Sequence, residues 1–230
     1  MIHELLRVLR YFINNIERIA GYALEHSILI LIAVVVSVTV WVTVGIAVRN
    51  NKRIADGVLG VGSIIMAIPS LALYGILISI PGLGLSRQSA VLGLVLYSML
   101  PIVRNVVIAL NSVDPSIMEA AKGMGMSQRQ ILRKVQLPLA IPVILAGVRV
   151  AMVMMVGVAT LAVYIGERNL GVLIEQGLTR TRSDMIIVGA IVVSLFAIVI
   201  DILVGRLENL VVSKGILRDD ASQTTGGDVQ

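Results

Sequence analysis

Two charged side chains lie within long apolar runs of this sequence, and their opposite signs could give them a shared role. Arg149 and Asp201 fall within the runs at about residues 138–165 and 185–205. A charge inside hydrocarbon is costly and is normally paired or functional. We therefore predict an ion pair that joins the two runs. The alternative is that each side chain extends separately to the membrane interface.

The sequence lacks the residues that most enzymatic chemistry requires. It has no cysteine, which removes disulfides, thiolate catalysis and cysteine-ligated metal. No G-x-x-x-x-G-K-[ST] motif for nucleotide phosphates occurs in it. The apolar runs carry no set of His, Glu and Asp residues for metal binding or acid–base catalysis. We therefore expect no enzymatic activity, no metal and no cofactor in this chain.

A few residues in the apolar runs could line or gate a path for a solute. Met152 and Met155 are flexible, polarisable side chains that could form an adaptable lining, although such methionines more often fill a core or face lipid. Pro69, followed by Ser70, removes a backbone donor within residues 57–80 and favours a kink. That kink could be a hinge, or it could be a static feature of packing.

The most informative segment is polar and basic and covers residues 112–138. Asp114 before Pro115 is typical of a helix start. Ser127 with Gln130 three residues later is typical of a capping box and predicts a second short helix. Small residues between these two helix starts would let another protein approach closely: Ala120, Ala121, Gly123 and Gly125. The segment could dock a separate protein, or it could lie on lipid headgroups.

The elements that hold these residues are predicted to be transmembrane helices. Hydrophobic residues make up 57% of the 230 and charged residues only 14%, with a mean hydropathy of +0.94. Soluble domains carry about 25% charged residues, so the composition excludes a soluble protein. Since about 20 apolar residues cross a bilayer as a helix, we predict an all-α, multi-pass membrane protein. Its five spans cover about residues 27–48, 57–80, 88–104, 138–165 and 185–205.

The segments outside the predicted spans suggest an orientation. Residues 1–26 are too charged to cross and predict an amphipathic segment, which lies on the membrane or packs on the bundle. Residues 215–230 predict a flexible polar tail. Eleven lysines and arginines fall on the side of the 49–53 and 104–137 loops and seven on the other side. This places the N-terminus outside and the C-terminus in the cytoplasm. The net charge of +5 has the same origin, and we expect no nucleic-acid partner.

The segment at 112–138 resembles the EAA motif of ABC-importer permeases. The residues that carry the resemblance are Glu119-Ala120-Ala121, then Gly125, and finally Leu137-Pro138. Val135 stands where that family usually has isoleucine.

Longer stretches are similar to the permeases of osmoprotectant importers, which carry glycine betaine, choline or carnitine. They are IMAIPSLALYGILISIPGLG, LYSMLPIVRN and LPLAIPVILAGVRVAMVMMVGVATLAVYIG. The sequence departs from that subfamily at Glu167-Arg168-Asn169, which occupies much of a run that is usually rich in glycine.

The resemblance implies a fold, a location and partners. The fold would be the five-helix permease core of the small type found in methionine importers, in the bacterial inner membrane. Residues 112–138 would form the coupling loop to cytoplasmic ABC ATPase subunits, which would bind the ATP. A second permease subunit, identical or paralogous, would complete the path across the bilayer. An extracytoplasmic substrate-binding protein would deliver a compatible solute such as glycine betaine.

Two alternatives to this function stay open. The same type of permease could carry an amino acid such as methionine. A self-sufficient channel or secondary carrier would instead predict several intramembrane acidic residues or paired broken helices, and would leave the 112–138 segment without a purpose. Aromatic residues make up only 3% of the chain, which is too few for a tight cage around a quaternary ammonium group. We therefore expect the specificity to lie in the binding protein.

Overall fold

The computed structural model of the chain describes residues 2–211, and every regular element in that range is helical. The polar tail predicted for residues 215–230 lies outside the described residues. The helices are α1 (Ile2–Asn14), α2 (Ile16–Val48), α3 (Lys52–Ala67), α4 (Ser70–Ile78), α5 (Arg87–Asn111), α6 (Pro115–Gly123), α7 (Gln128–Ile131), α8 (Leu137–Ala159), α9 (Gly171–Thr179) and α10 (Ser183–Val211).

Four helical stretches in the described residues are long and apolar enough to cross a membrane. They are Ile16–Val48, Arg87–Asn111, Gln128–Ile165 and Ser183–Glu208. A fifth crossing is available if α3 and α4 together form one broken span, which bends by 99°. The prediction of an all-α, multi-pass membrane protein is therefore confirmed.

The break between α3 and α4 falls at Pro69, where the sequence predicts a kink. The axes of the two helices differ by 99°, so the chain turns sharply there and does not continue as one kinked helix. Ile68 leaves the helical conformation with φ −70° and ψ 128°. Proline lacks an N–H and disfavours a helical conformation in the preceding residue. The hydroxyl of Tyr97 on α5 donates to the carbonyl oxygen of Ile68. One backbone group freed by the break is therefore hydrogen-bonded within the bundle.

Helix α5 is the centre of the bundle and packs against α2, α3, α4 and α8. Between bilayer-spanning helices, close packing rather than water exclusion holds the elements together, and it favours small residues at the contacts. The core follows this rule: Ala33, Ala90 and Ala159 are each 0% exposed. Larger side chains then fill the spaces around them: Leu29, Tyr74, Leu94 and Met155.

Helices in the structure extend beyond the ends of the predicted spans. Helix α2 begins at Ile16 rather than near residue 27, so that part of the predicted segment 1–26 belongs to the first spanning helix. Helix α5 continues past Arg104 to Asn111. Charged residues lower the hydropathy of a window, but they do not interrupt a helix. These helices therefore continue beyond the apolar part of each span.

The remaining N-terminal helix, α1, packs on the bundle and also keeps an apolar face exposed. Val8 and Tyr11 pack against a buried cluster contributed by α2, α9 and α10. Leu5, Leu9 and Ile13 are exposed on the side away from that contact. The packing contact is one of the two arrangements that the sequence leaves open for this segment.

Candidate functional site

The polar segment between the third and fourth spanning helices begins with a capped helix, α6. Asp114 accepts a hydrogen bond from the backbone N–H of Ser116 at 2.7 Å, and Pro115 occupies the first turn. Hydrogen bonds from the side chain and then the backbone of Ser116 hold the pKa of the Asp114 carboxyl below its ordinary value. The helix start predicted at Asp114-Pro115 is confirmed.

The end of α6 is a turn that requires glycine at position 125. Gly125 has φ +75°, in the left-handed region. Its N–H donates to the carbonyl of Lys122 at 2.9 Å, and the N–H of Met126 donates to that of Ala121 at 3.2 Å, which is a Schellman motif. A Cβ on Gly125 would meet nothing within 4 Å, so the backbone conformation, not crowding within the chain, selects glycine. Gly123 lies inside the last turn of α6 and does not interrupt it.

The second short helix, α7, begins with the capping box that the sequence predicts. Ser127 donates its backbone N–H to the side chain of Gln130 at 2.7 Å, and its Oγ accepts the N–H of Gln130 at 3.4 Å. Ala121 of α6 and Ile131 of α7 are buried, at 1% and 0% exposed. The segment is therefore an ordered helix–turn–helix whose ends and turn are hydrogen-bonded.

The outer side of this helix–turn–helix presents apolar and charged side chains together. Met124 is 74% exposed, more than any other large apolar residue that the structure describes, and Ile117 is 42% exposed. Glu119 and Ala120 of the same helix are exposed as well. We call these four residues the docking face: Ile117, Glu119, Ala120 and Met124. The neighbouring basic residues are exposed as well: Arg129, Arg133 and Lys134. Apolar side chains projecting from a polar surface are typical of a protein-interaction site.

A π-helical turn, Leu132–Gln136, joins α7 to α8 without a break. The N–H of Leu137 donates to the carbonyl of Leu132, five residues earlier. The wider turn comes directly before Pro138, whose ring clashes with the carbonyl four residues back in a regular helix. The side chain of Gln136 donates to the carbonyl of Leu110 at 3.2 Å, which ties the turn to the end of α5. The last part of the predicted loop 112–138 is therefore continuous helix.

The structure brings Arg149 and Asp201 together between α8 and α10. Nε and Nη2 of Arg149 donate to the two carboxylate oxygens of Asp201 at 2.6 and 2.7 Å. Glu208 lies 3.6 Å from Nη1 of the same guanidinium, a third member that the sequence does not predict. A Cβ on Gly205 would lie 3.1 Å from the guanidinium, so this glycine makes room for it. The Arg149 and Asp201 side chains are 36% and 41% exposed, which places the pair at the surface of the bundle.

The residues predicted to line or gate a path lie in two places: Met152 and Met155 line one small internal cavity, and Pro69 and Ser70 lie at the bend between α3 and α4. Met155 is 1% exposed and packs in the core, which is the alternative that the sequence analysis leaves open for it. Met152 is partly buried beside a second core cluster. Pro69 and Ser70 lie at the 99° bend, where Pro69 is exposed. The role of these four residues in a path or hinge stays a prediction.

The end of the bundle opposite the docking face is built around Asn169, to which the sequence gives no role. Asn169 is 0% exposed. Its Nδ2 donates to the carbonyl of Ala159 at 2.9 Å, and its Oδ1 accepts the N–H of Gly171 at 2.7 Å. Glu167, two residues earlier, pairs with Arg87 at 3.2 Å. The departure from a glycine-rich run therefore supplies a buried hydrogen-bonding residue and an ion pair.

His26 is a second residue whose environment the sequence analysis misses. It is 0% exposed, and neither ring nitrogen makes a hydrogen bond of good geometry in the described part of the chain, although the backbone of Val156 lies near the ring. Its ring lies edge-on to Phe196, with the centroids 5.2 Å apart. Helical spacing could have indicated that His26 is buried. It stands one turn after Tyr22 and one turn before Leu29 and Ile30, which are all buried.

The sequence of this chain matches a known family of transport proteins. Residues 39–213 match the family described as "Binding-protein-dependent transport system inner membrane component". The osmoprotectant import permease protein OsmW of Salmonella typhimurium is 39% identical over 211 residues, which cover 90% of this chain and 98% of that one. The carnitine transport permease protein OpuCB of Listeria monocytogenes is 36% identical over 209 residues, which cover 91% and 95%.

A solved structure shows the same fold. A chain of the MetNI methionine ABC transporter, solved in an inward-facing conformation, superposes with a TM-score of 0.71. The match covers 81% of this chain and 93% of that one at 21% sequence identity. At this identity the likeness concerns the fold alone.

Proposed function

We propose that this chain, which belongs to the family of binding-protein-dependent transport system inner membrane components, carries an osmoprotectant such as glycine betaine, carnitine or choline. The chain is a permease subunit of an ABC importer in the inner membrane. The observation that carries the choice of solute is the 39% identity to an osmoprotectant permease over nearly the full length of both chains. Relatives that transport carnitine and choline support the same class of solute.

The second part of the proposal is that the docking face binds a cytoplasmic ABC ATPase subunit. Support comes from the exposure of Met124 and Ile117, which contact little within their own chain. Further support comes from Gly125, whose turn fixes α6 against α7 and so presents these side chains on a stiff scaffold. The ATP would be bound by that partner. In this arrangement the docking end faces the cytoplasm and the N-terminal end faces outward.

A second permease subunit, identical or paralogous, would complete the path. Support comes from α3, in which only Ala55 and Gly62 are buried. A spanning segment with so little contact to its own chain has room for another subunit against it. The bend at Pro69 lies on this segment, so the path would run beside it.

An extracytoplasmic binding protein would hold the substrate specificity. A quaternary ammonium group is held tightly by a cage of aromatic faces. In this chain three of the aromatic residues near the spans already make contacts within the bundle. Tyr74 and Tyr97 are buried, and Trp41 donates to the carbonyl of Val95 at 2.7 Å. The permease would then offer only a weak path for the solute.

Uptake in proteoliposomes tests the choice of solute. The chain would be reconstituted with its ATPase subunits and binding protein, and ATP-driven uptake of labelled glycine betaine would be measured. Unlabelled carnitine and choline should compete, and methionine should not. Methionine uptake in the absence of betaine uptake would overturn the proposed solute class but leave the permease assignment intact.

Copurification of the ATPase tests the docking face. Met124→Ser and Glu119→Lys should each lower the amount of ATPase that copurifies, while membrane insertion stays normal. Leu85→Ser is the matched control, because Leu85 is also highly exposed, at 69%, and lies at the opposite end of the bundle. Wild-type copurification by both docking-face variants would show that the ATPase binds elsewhere.

A further inference from the structure

A strongly basic cavity lies at the end of the bundle opposite the docking face, between α1, the start of α2 and the turn from α9 to α10. It has a volume of about 420 Å³. Its lining contains five arginines: Arg7, Arg10, Arg18, Arg180 and Arg182. Asp184 is the one carboxylate in that lining. A cleft lined by one sign of charge concentrates ions of the other sign, so an anion is the ligand that this cavity favours.

Among the side chains that the structure describes, two of the five arginines have partners and three have none. Arg182 pairs with Asp184 and lies over the ring of Tyr11 at 5.4 Å. Arg18 donates to the hydroxyl of Tyr22 at 3.0 Å. The other three guanidinium groups are exposed and make no hydrogen bond or ion pair with the side chains that the structure describes, which are those of residues 5–208: Arg7, Arg10 and Arg180. The cavity therefore retains unneutralised donors from both α1 and the opposite turn.

The turn between α9 and α10 holds two of the arginines in place. Thr181 has φ +54°, which is uncommon for a β-branched residue. The N–H of Arg182 donates to the carbonyl of Gly177 at 2.8 Å, and that of Arg180 to the carbonyl of Gln176 at 3.0 Å. These bonds tie the backbone on both sides of Thr181 to the last turn of α9. Arg180 and Arg182 therefore stand at fixed positions on one wall of the cavity.

The apolar face of α1 distinguishes among possible anions. Leu5, Leu9 and Ile13 are 69%, 54% and 59% exposed, on the same helix as Arg7 and Arg10. An acidic protein bound by the arginines alone would leave these side chains in water. Acyl chains would cover them, and arginine binds phosphate oxygens with two parallel hydrogen bonds. An amphipathic helix with basic and apolar faces is typical of the membrane interface.

We propose that the cavity binds the phosphate-bearing headgroup of an anionic phospholipid, whose acyl chains lie along the exposed apolar face of α1. Arg10 and Arg180 contact the phosphate from opposite walls. The lipid thereby joins α1 to the turn between α9 and α10. This inference does not depend on the transported solute or on the ATPase.

Native mass spectrometry of the full-length protein, titrated with defined lipids, tests the proposal. Wild-type protein should bind phosphatidylglycerol more tightly than phosphatidylcholine. Each of Arg10→Gln and Arg180→Gln should weaken phosphatidylglycerol binding about fivefold, since one arginine near an anionic lipid surface contributes about that factor. Arg10→Lys keeps the charge but loses the two parallel hydrogen bonds to phosphate, so its binding should fall between that of wild type and that of Arg10→Gln. Arg168→Gln is the matched control, because Arg168 is exposed at the same end but lies outside the cavity.

Several outcomes would overturn the proposal. Equal affinity for the two lipids would show that the cavity does not recognise the charge of the headgroup. An equal loss in Arg168→Gln would show a general surface effect. Binding of inorganic phosphate alone, with an affinity equal to that for the lipid, would assign the cavity to a free anion. If the variants bind lipid normally but the binding protein no longer stimulates their transport, the arginines would be assigned to contact with the binding protein.

Discussion

The guanidinium of Arg149 contacts both carboxylate oxygens of Asp201 and so joins the middle of α8 to the second half of α10. Glu208 approaches the third nitrogen of the same guanidinium at 3.6 Å. One guanidinium therefore balances two carboxylates, so removing the arginine and removing one carboxylate should have different effects. Loss of Arg149 leaves two negative charges beside each other, whereas loss of Asp201 leaves Arg149 with Glu208.

This asymmetry predicts the order of the single-variant effects. Arg149→Gln should lower the folded yield in membranes severalfold, and by more than Asp201→Asn does. The double variant should recover part of the loss, because no charge of the pair is then stranded. A double-mutant cycle on thermal stability in detergent isolates the coupling. Strictly additive losses would mean that the two side chains act separately.

The two glycines of α6 and its turn should respond differently to alanine. Gly125→Ala should cost about 1–2 kcal/mol, because it places a Cβ on a left-handed residue. Gly123→Ala should be neutral or slightly stabilising, because alanine favours a helix over glycine by about 1 kcal/mol. Amide hydrogen exchange at Met126 would report the loosened turn. Unchanged exchange in Gly125→Ala would show that the turn accepts a side chain.

Replacement of His26 should stabilise the protein. A buried polar group without a partner costs about 1–3 kcal/mol in proteins, so His26→Leu should raise the unfolding free energy by about 1 kcal/mol. Ser98→Ala is the contrasting variant, because the buried Ser98 hydroxyl donates to Ser37 at 2.8 Å. It should lower the unfolding free energy by about 1 kcal/mol. A less stable His26→Leu protein would indicate that the imidazole has a polar partner.

Asn169 should be far less tolerant of substitution than its neighbour. Asn169→Ala leaves the Ala159 carbonyl and the Gly171 N–H without their partner, which should cost about 2–4 kcal/mol for two buried backbone groups. Arg168→Ala removes an exposed side chain and should change stability by less than about 0.5 kcal/mol. Thermal unfolding in detergent compares the two. Equal effects would mean that water replaces the asparagine amide.

The features predicted best from the sequence depend on neighbours along the chain. The cap at Asp114 and the box formed by Ser127 with Gln130 are local, because each side chain bonds a backbone group two or three residues away. The break at Pro69 is local as well, since proline lacks the donor whatever surrounds it. The 99° angle is not local. It depends on how α4 packs against α5, including the hydrogen bond from Tyr97.

The features that the sequence does not predict depend on distant contacts or on a limit of hydropathy. Glu208 lies beyond the predicted fifth span, so hydropathy gives no reason to pair it with Arg149. His26 stands next to the half-buried Glu25, which pairs with Arg87, although the His26 side chain itself faces the bundle. Arg104 ends an apolar window without ending α5. Hydropathy thus identifies the part of each helix that lies in the hydrocarbon of the membrane. Packing and hydrogen bonds determine where each helix ends.

The π-helical turn has a mechanical consequence. No flexible loop separates α7 from α8, so the helical rod that begins at Gln128 also carries Arg149. At about 1.5 Å per residue the two residues are about 30 Å apart along this rod. Force applied to α7 therefore reaches the contact with α10 as a tilt or twist of one lever. Two places along it depart from a regular helix and could absorb the motion: the wide turn at Leu132–Gln136, and Pro142, which lacks the N–H of the helical hydrogen bond.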